Sequence, residues 1–259
     1  MLDVLAAEWL KLRSVRSTAV AVGAALGGVL LAAGLAWAAA DAYDDAPPPL
    51  RATARLAELE EALFLLPQLA LGVLGVLAIT SEYATGLIRT SLALVPRRWP
   101  VLAAKSVVVG GTALATGQIA VFGMYAVARA IVGDRYGGIY AAPVPDEVPL
   151  LVVTGLSAAV FALLGLGLGA IVRSTAAAVG LLVGFLHVLP IAAHNLPEPW
   201  NERVGSLMIG GLPRQIVGAD LSATVYGALL SSPGAAVLFA AYALVPLGVG
   251  LWLIRGRDV

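Results

Sequence analysis

The chain has no cysteine and only two histidines, His187 and His194, in 259 residues. The first absence removes disulfides, thiolate metal sites and cysteine nucleophiles together. The second leaves too few imidazoles for an ordinary metal centre. Charge is scarce as well. Only 12% of residues are charged, against about 25% in soluble domains. Sixteen basic residues balance sixteen acidic ones, so no basic field points to nucleic acid. The chain has two lysines, Lys11 and Lys105. A phosphate-cradling GxxxxGK[ST] loop needs glycine ahead of its lysine, because the backbone wraps the phosphate. Lys105 has no glycine in the six residues before it, and Lys11 is followed by Leu12. An ATP-binding P-loop is excluded, and the chain is read as no enzyme.

What is present is apolar: 60% of residues are hydrophobic and the mean hydropathy is +0.92. A hydrocarbon core of about 30 Å needs about 20 apolar residues as helix. Six runs qualify, at roughly 19–40, 62–79, 101–128, 149–172, 176–193 and 233–254. They predict an all-α integral membrane protein, with residues 1–259 as a single transmembrane domain. Pro67 and Pro190 predict kinks in the second and fifth runs. About 18 residues of mixed charge precede the first run, which argues against a cleavable signal. AWAAA (36–40) has the form of a cleavage site and keeps that alternative open.

None of the six runs contains Asp or Glu. Ion-driven carriers usually keep ionisable groups near the midplane, so this counts against them. His187, Gln68 and Gln118 read first as hydrogen-bonding residues between helices. Cavity lining by Gln68 or His187 is the sharper alternative. Small-residue pairs at Gly23/Gly27, Gly165/Gly169 and Gly180/Gly184 allow close helix approach, within one subunit or between two.

Ten Lys/Arg residues fall on the side of the termini and six on the other. The positive-inside rule then predicts both termini in the cytoplasm, and the Arg, Ala and Gly bias fits a bacterial plasma membrane. Segments 41–61, 133–148 and 194–232 become external. The last contains VGSLMIGGLPRQIVGA (204–219), too broken by Gly and Pro to span. It predicts re-entrant or surface-lying helices bent at Gly210, Gly211 and Pro213.

Ahead of the first run, MLDVLAAEWLKLRSVRST places Leu2, Leu5, Trp9 and Leu12 on one helical face. A basic helix with a Trp on its apolar face suits the membrane interface. Residues 1–18 are read as such a helix, with Glu8, Trp9, Lys11 and Arg13 as its functional residues; a plain positive-inside anchor is the alternative. Between the second and third runs stands SEYATGLIRTSLALVPRRWPVLAAK (81–105). Residues 82–95 fit an amphipathic helix, with Glu82, Thr85 and Arg89 on one face and Tyr83, Leu87, Ile88, Leu92 and Val95 opposite. Pro96 would end it and Pro100 open the next helix. The bland alternative is a snorkelling basic loop.

Glu60 and Glu61 with two histidines have the residue types of an intramembrane CAAX-type protease. That chemistry needs Arg four residues after the second glutamate, and position 65 is Leu65.

EWLKLRS (8–14) ahead of a span, and the segment 81–105, resemble the membrane subunit of ABC-2 type transporters in their actinobacterial branch. The resemblance covers nearly the whole chain. It implies a permease paired with a second copy, as a homodimer rather than a heterodimer, in membrane lipid. It also implies two copies of a separate cytoplasmic ATPase, which carries ATP and Mg2+, with no cofactor in this chain. The N-terminal helix resembles the family's connecting helix. The segment 82–95 resembles its cytoplasmic coupling helix, with Glu82, Tyr83, Thr85, Gly86 and Arg89 against the ATPase. Ala at Glu82 or Arg89 is then expected to spare folding and impair coupling, with Gly86 allowing close backbone approach. The external helices before the sixth span resemble an outer gate. The implied activity is export of a small or amphiphilic cargo: a drug, an antibiotic, a peptide or a lipid-like molecule. The alternative class is a stand-alone ion-coupled carrier or a membrane scaffold.

Overall fold

Apolar runs of this length become helices because hydrocarbon offers no partner to a bare N–H or C=O, and a helix satisfies both internally. The structure is a computed structural model and describes residues 2–87, 99–221 and 224–256. It is all-α, with no strand among the described residues. The helices are α1 (Leu2–Ser14), α2 (Arg16–Asp45), α3 (Pro48–Thr53), α4 (Leu59–Leu63), α5 (Leu65–Thr85) and α6 (Trp99–Val132). There follow α7 (Val144–Val172), α8 (Thr175–Val183), α9 (Leu189–His194), α10 (Trp200–Gly205), α11 (Leu212–Val217) and α12 (Ser232–Gly256). Six stretches are long and apolar enough to cross a membrane: Arg16–Asp45, Leu59–Thr85, Trp99–Val132, Val144–Val172, Thr175–His194 and Ser232–Leu253. Each overlaps one predicted run.

α7 is the hub and packs against α5, α6, α8 and α12. Its small residues make this possible. A Cβ on Gly165 would collide with the carbonyl oxygen of Gly72 on α5, and one on Gly75 would collide with that of Ala162. Gly169 lies against Ile79 and Thr80 in the same seam. The other two predicted pairs differ: a Cβ at Gly23, Gly27, Gly180 or Gly184 would meet nothing within 4 Å. One small-residue pair therefore serves packing inside the chain, and two face outward from it.

The second and fifth long stretches are interrupted, but not where proline alone would put the break. α4 and α5 meet at Phe64, and Pro67 is the third residue of α5. In a first turn the missing N–H has no intrahelical role. In the fifth stretch a π-helical turn, Gly184–Val188, separates α8 from α9 just before Pro190. Pro190 cannot donate to the carbonyl four residues earlier, and a widened turn accommodates that loss.

The start expected for the helix over 82–95 requires correction. α5 continues past Ile79, and Glu82, Tyr83 and Thr85 form its last turn. Gly86 ends it in the left-handed region, at φ 74°. That left-handed conformation is reason enough for a glycine here, and a Cβ built on it would meet nothing within 4 Å among the described residues. Arg89 and the rest of 88–98 lie outside the described residues. The segment 194–232 contains α10, a 3-10 turn (Ile209–Gly211) and α11. None of these is long enough to cross.

Candidate functional site

Two polar assemblies stand at opposite ends of α5. The first joins α1 to the ends of α5 and α6. Lys105 Nζ donates to Glu8 Oε2 at 2.5 Å and to Glu82 Oε1 at 2.9 Å. Lys11 Nζ donates to Glu8 Oε1 at 2.7 Å and to Glu82 Oε1 at 3.0 Å. The side chains of Glu8, Glu82 and Lys105 are at most 6% exposed, and Lys11 is 38% exposed. Two carboxylates and two ammoniums balance, which is what lets so much charge stay buried. Burial pulls the Lys11 ammonium down, but Glu8 and Glu82 outweigh it and hold it above the ordinary lysine range. A cavity of about 200 Å³ opens beside the cluster, between α1, α2, α5 and α6.

Glu82 was expected on a water-facing surface. It is instead buried among cations, because Lys105 lies one helix away and Glu8 reaches in from α1. Glu8 likewise occupies the packed face of α1 with Leu12, while Leu2 and Trp9 are exposed. Arg13 and Thr85 are exposed too. Tyr83 lies under the Arg173 guanidinium, 5.0 Å from the ring centroid. Thr80 accepts from Thr175 Oγ1 at 2.8 Å, tying α5 to the start of α8.

The second assembly clamps the segment 194–232 to the start of the second long stretch. Arg214 of α11 donates through Nε to Glu61 at 2.7 Å and through Nη2 to Glu58 at 2.8 Å. A further bond joins Nη2 to Glu61, and Nη1 donates to the Asp220 carbonyl at 2.8 Å. The hydrogen bonds that it donates to Glu61 hold the guanidinium above its ordinary range. Burial pushes the Glu58 carboxyl up; Arg214 opposes this, while Glu61 and Glu147 add to it. Tyr140 donates to Glu60 at 2.9 Å and accepts from the Leu59 N–H at 2.9 Å.

Gly210 and Gly211 sit on the 3-10 turn and Pro213 opens α11. A Cβ on either glycine would meet the Tyr226 side chain. The bend is thus a packing surface for the chain returning toward α12. Buried Gln215 fastens the same segment, donating to the Ser206 carbonyl at 2.9 Å and accepting from the Leu230 N–H at 3.1 Å.

Between the clamp and α5 lies a second cavity, about 330 Å³, lined by Glu58, Glu61, Gln68, Thr154, Gly210, Tyr226 and their neighbours. Gln68 forms part of its wall and is 5% exposed. His187 belongs to neither cavity lining. It is half-buried on the π turn, and its Nδ1 has no hydrogen-bond partner among the described residues.

The sequence reading named Glu8, Lys11, Glu82 and Gln68 but did not group the first three. Lys105 was weighed only as a P-loop lysine and Glu61 only as a protease-type carboxylate, and Glu58, Arg214, Tyr140 and Gln215 were not singled out. The available signal was ELEE (58–61), four residues with three carboxylates against a hydrophobic run. Such a cluster demands a cation, and Arg214 is central to the segment 194–232. No family model and no curated protein matches the chain.

Proposed function

We propose that this chain is a multi-pass permease subunit of an ATP-driven exporter of the ABC-2 type, in a bacterial plasma membrane with both termini cytoplasmic. The observation that carries the reading is the buried Glu8–Lys105–Glu82–Lys11 cluster. It fastens the N-terminal helix to two membrane-length helices through charges that resist separation. A force applied to α1 by a cytoplasmic partner would move α5 and α6 with it. The chain supplies no P-loop, so the energy comes from a second chain that holds ATP and Mg2+. The Arg214 clamp closes the far end and acts as the outer gate. A cargo of small or amphiphilic character fits the about 330 Å³ behind it.

A stand-alone ion-coupled carrier draws support from the carboxylates buried at both ends of the second long stretch, Glu60 and Glu82. They are 22 residues apart, or about 33 Å along a helix. Ion-coupled sites gather their ligands near the midplane, so the permease reading is preferred.

Co-expression with any ATP-binding cassette protein encoded beside it tests the proposal. The two should co-purify, and ATP hydrolysis by the complex in lipid should exceed that of the ATPase alone. A permease that purifies stably alone, with no effect on that ATPase, overturns it.

A further inference from the structure

The N-terminal helix has two unlike faces, and one of them is unpartnered. Toward the bundle α1 turns Glu8 and Leu12, its two buried residues. Away from it stand Leu2, Trp9 and Leu10, all exposed. Arg13 follows Trp9 by four residues and Leu10 by three, so it extends that face by one helical turn. It is exposed too. Arg16 opens α2 after the single extended residue Val15, and it is also exposed. One turn further along α2, Val20 is exposed on a helix of membrane-crossing length. The two arginines therefore stand where a long apolar helix begins, between an apolar helix face and an apolar wall.

Their charge is uncompensated. Neither arginine has a hydrogen bond or an ion pair among the described residues. The carboxylates at this end are taken: Glu8 and Glu82 both face Lys11 and Lys105. Asp3 is exposed, but ten residues of helix set it about 15 Å from Arg13. That exceeds the screening length of about 8 Å in physiological salt. Turning Glu8 inward gives the face its sign, since an exposed Glu8 would cancel one arginine. Two guanidiniums alone would suit many anions. Apolar side chains beside them, with a Trp ring that favours the headgroup level, match a surface that is anionic at its rim and apolar below.

We infer that the exposed face of α1, with Arg13 and Arg16, docks on anionic phospholipid. The guanidiniums donate to lipid phosphates, while Leu2, Trp9 and Leu10 enter the boundary of the acyl chains. The binding itself requires no ATPase. Its meaning rests on the permease reading, because the lipid then bears on the helix through which force enters.

The probe is an equal mixture of phosphatidylcholine and phosphatidylglycerol in vesicles that hold the full chain. Bromine is placed on the acyl chains of one lipid or of the other, and it quenches tryptophan on contact. Trp9→Phe isolates the Trp9 share of the emission from that of the other tryptophans. Brominated phosphatidylglycerol should quench Trp9 more than brominated phosphatidylcholine, with a preference of about fivefold for each arginine. Arg13→Gln and Arg16→Gln should each lower the preference by about that factor, and the double variant should abolish it. High salt should lower it as well, because both charges are exposed. Both leaflets have one composition, so the result does not depend on the orientation of the chain. Equal quenching of Trp9 by the two lipids overturns the inference without any arginine variant. A preference that survives in the double variant overturns it too. Equal quenching combined with loss of ATPase binding in the double variant would assign this face to an acidic protein surface instead. A lipid preference of zero leaves the permease reading standing, and a failure to recruit the ATPase leaves the lipid result standing.

Discussion

Lys105 holds Glu8 at 2.5 Å and Glu82 at 2.9 Å, and removing its ammonium would leave two buried carboxylates facing Lys11 alone. Breaking one partner out of a buried pair costs about 3–5 kcal/mol, mainly because the charge left behind stays dry. Lys105→Met should therefore lower stability by about that amount in denaturant unfolding in micelles. Glu82→Ala should destabilise as well, which reverses the expectation that Glu82 is a water-facing group free to be truncated. A loss under about 1 kcal/mol, the value of a surface pair, would mean that water reaches the cluster. The pH dependence follows from Lys11, whose folded pKa lies above the ordinary 10.5. A raised lysine contributes its full stability below the unfolded value and loses it as pH climbs through the folded one. The Lys11 contribution should thus be constant through neutral pH and disappear only above about 10.5. These partners were hidden in the sequence because hydrogen bonds between residues 97 and 71 positions apart leave no local pattern.

At the scale of elements, the seam between α5 and α7 depends on Gly75, Gly165 and Gly169. The group facing Gly165 is a backbone carbonyl, which cannot swing aside as a side chain does. Gly165→Leu should therefore cost about 1–3 kcal/mol or more by overpacking. Gly180→Leu, with nothing within 4 Å, should stay within about 0.5 kcal/mol. Thermal unfolding of the two variants in the same detergent compares them, and equal losses would contradict the packing. The sequence could not separate these sites, since the same four-residue spacing occurs at both. Six apolar runs were readable because hydropathy is summed over about 20 positions and tolerates local error. The end of α5 was not readable. Hydropathy falls at Thr80, but a helix ends where its backbone bonds end, and paired Glu82 removes the penalty for continuing. The apolar residues at Tyr83 and Leu87 kept helical spacing across Gly86, so periodicity alone ran past the left-handed glycine that ends α5.

The whole molecule has two polar ends and an apolar waist. Glu8, Lys11, Glu82, Lys105 and the Thr80–Thr175 hydrogen bond gather at one end. The Asp44–Arg135 and Glu58/Glu61–Arg214 pairs gather at the other. Between them α5 spans 21 residues, about 31 Å at helical rise, which matches a hydrocarbon core of about 30 Å. Ten of sixteen Lys/Arg residues fall on the Lys105 side by the sequence count, so that side should face the cytoplasm. The chain has no cysteine, and a single introduced cysteine reports its own side without background. Ser14, Asp146 and Glu202 are exposed; Ser14 and Glu202 lie outside the six long apolar stretches, and Asp146 lies in the first turn of Val144–Val172. A membrane-impermeant maleimide added to intact cells should label Asp146→Cys and Glu202→Cys at once, and Ser14→Cys only after the membrane is opened. Labelling of Ser14→Cys in intact cells would invert the molecule. α1 and its ion cluster would then lie beyond the reach of a cytoplasmic ATPase, and force could not enter through Glu8, Glu82 and Lys105.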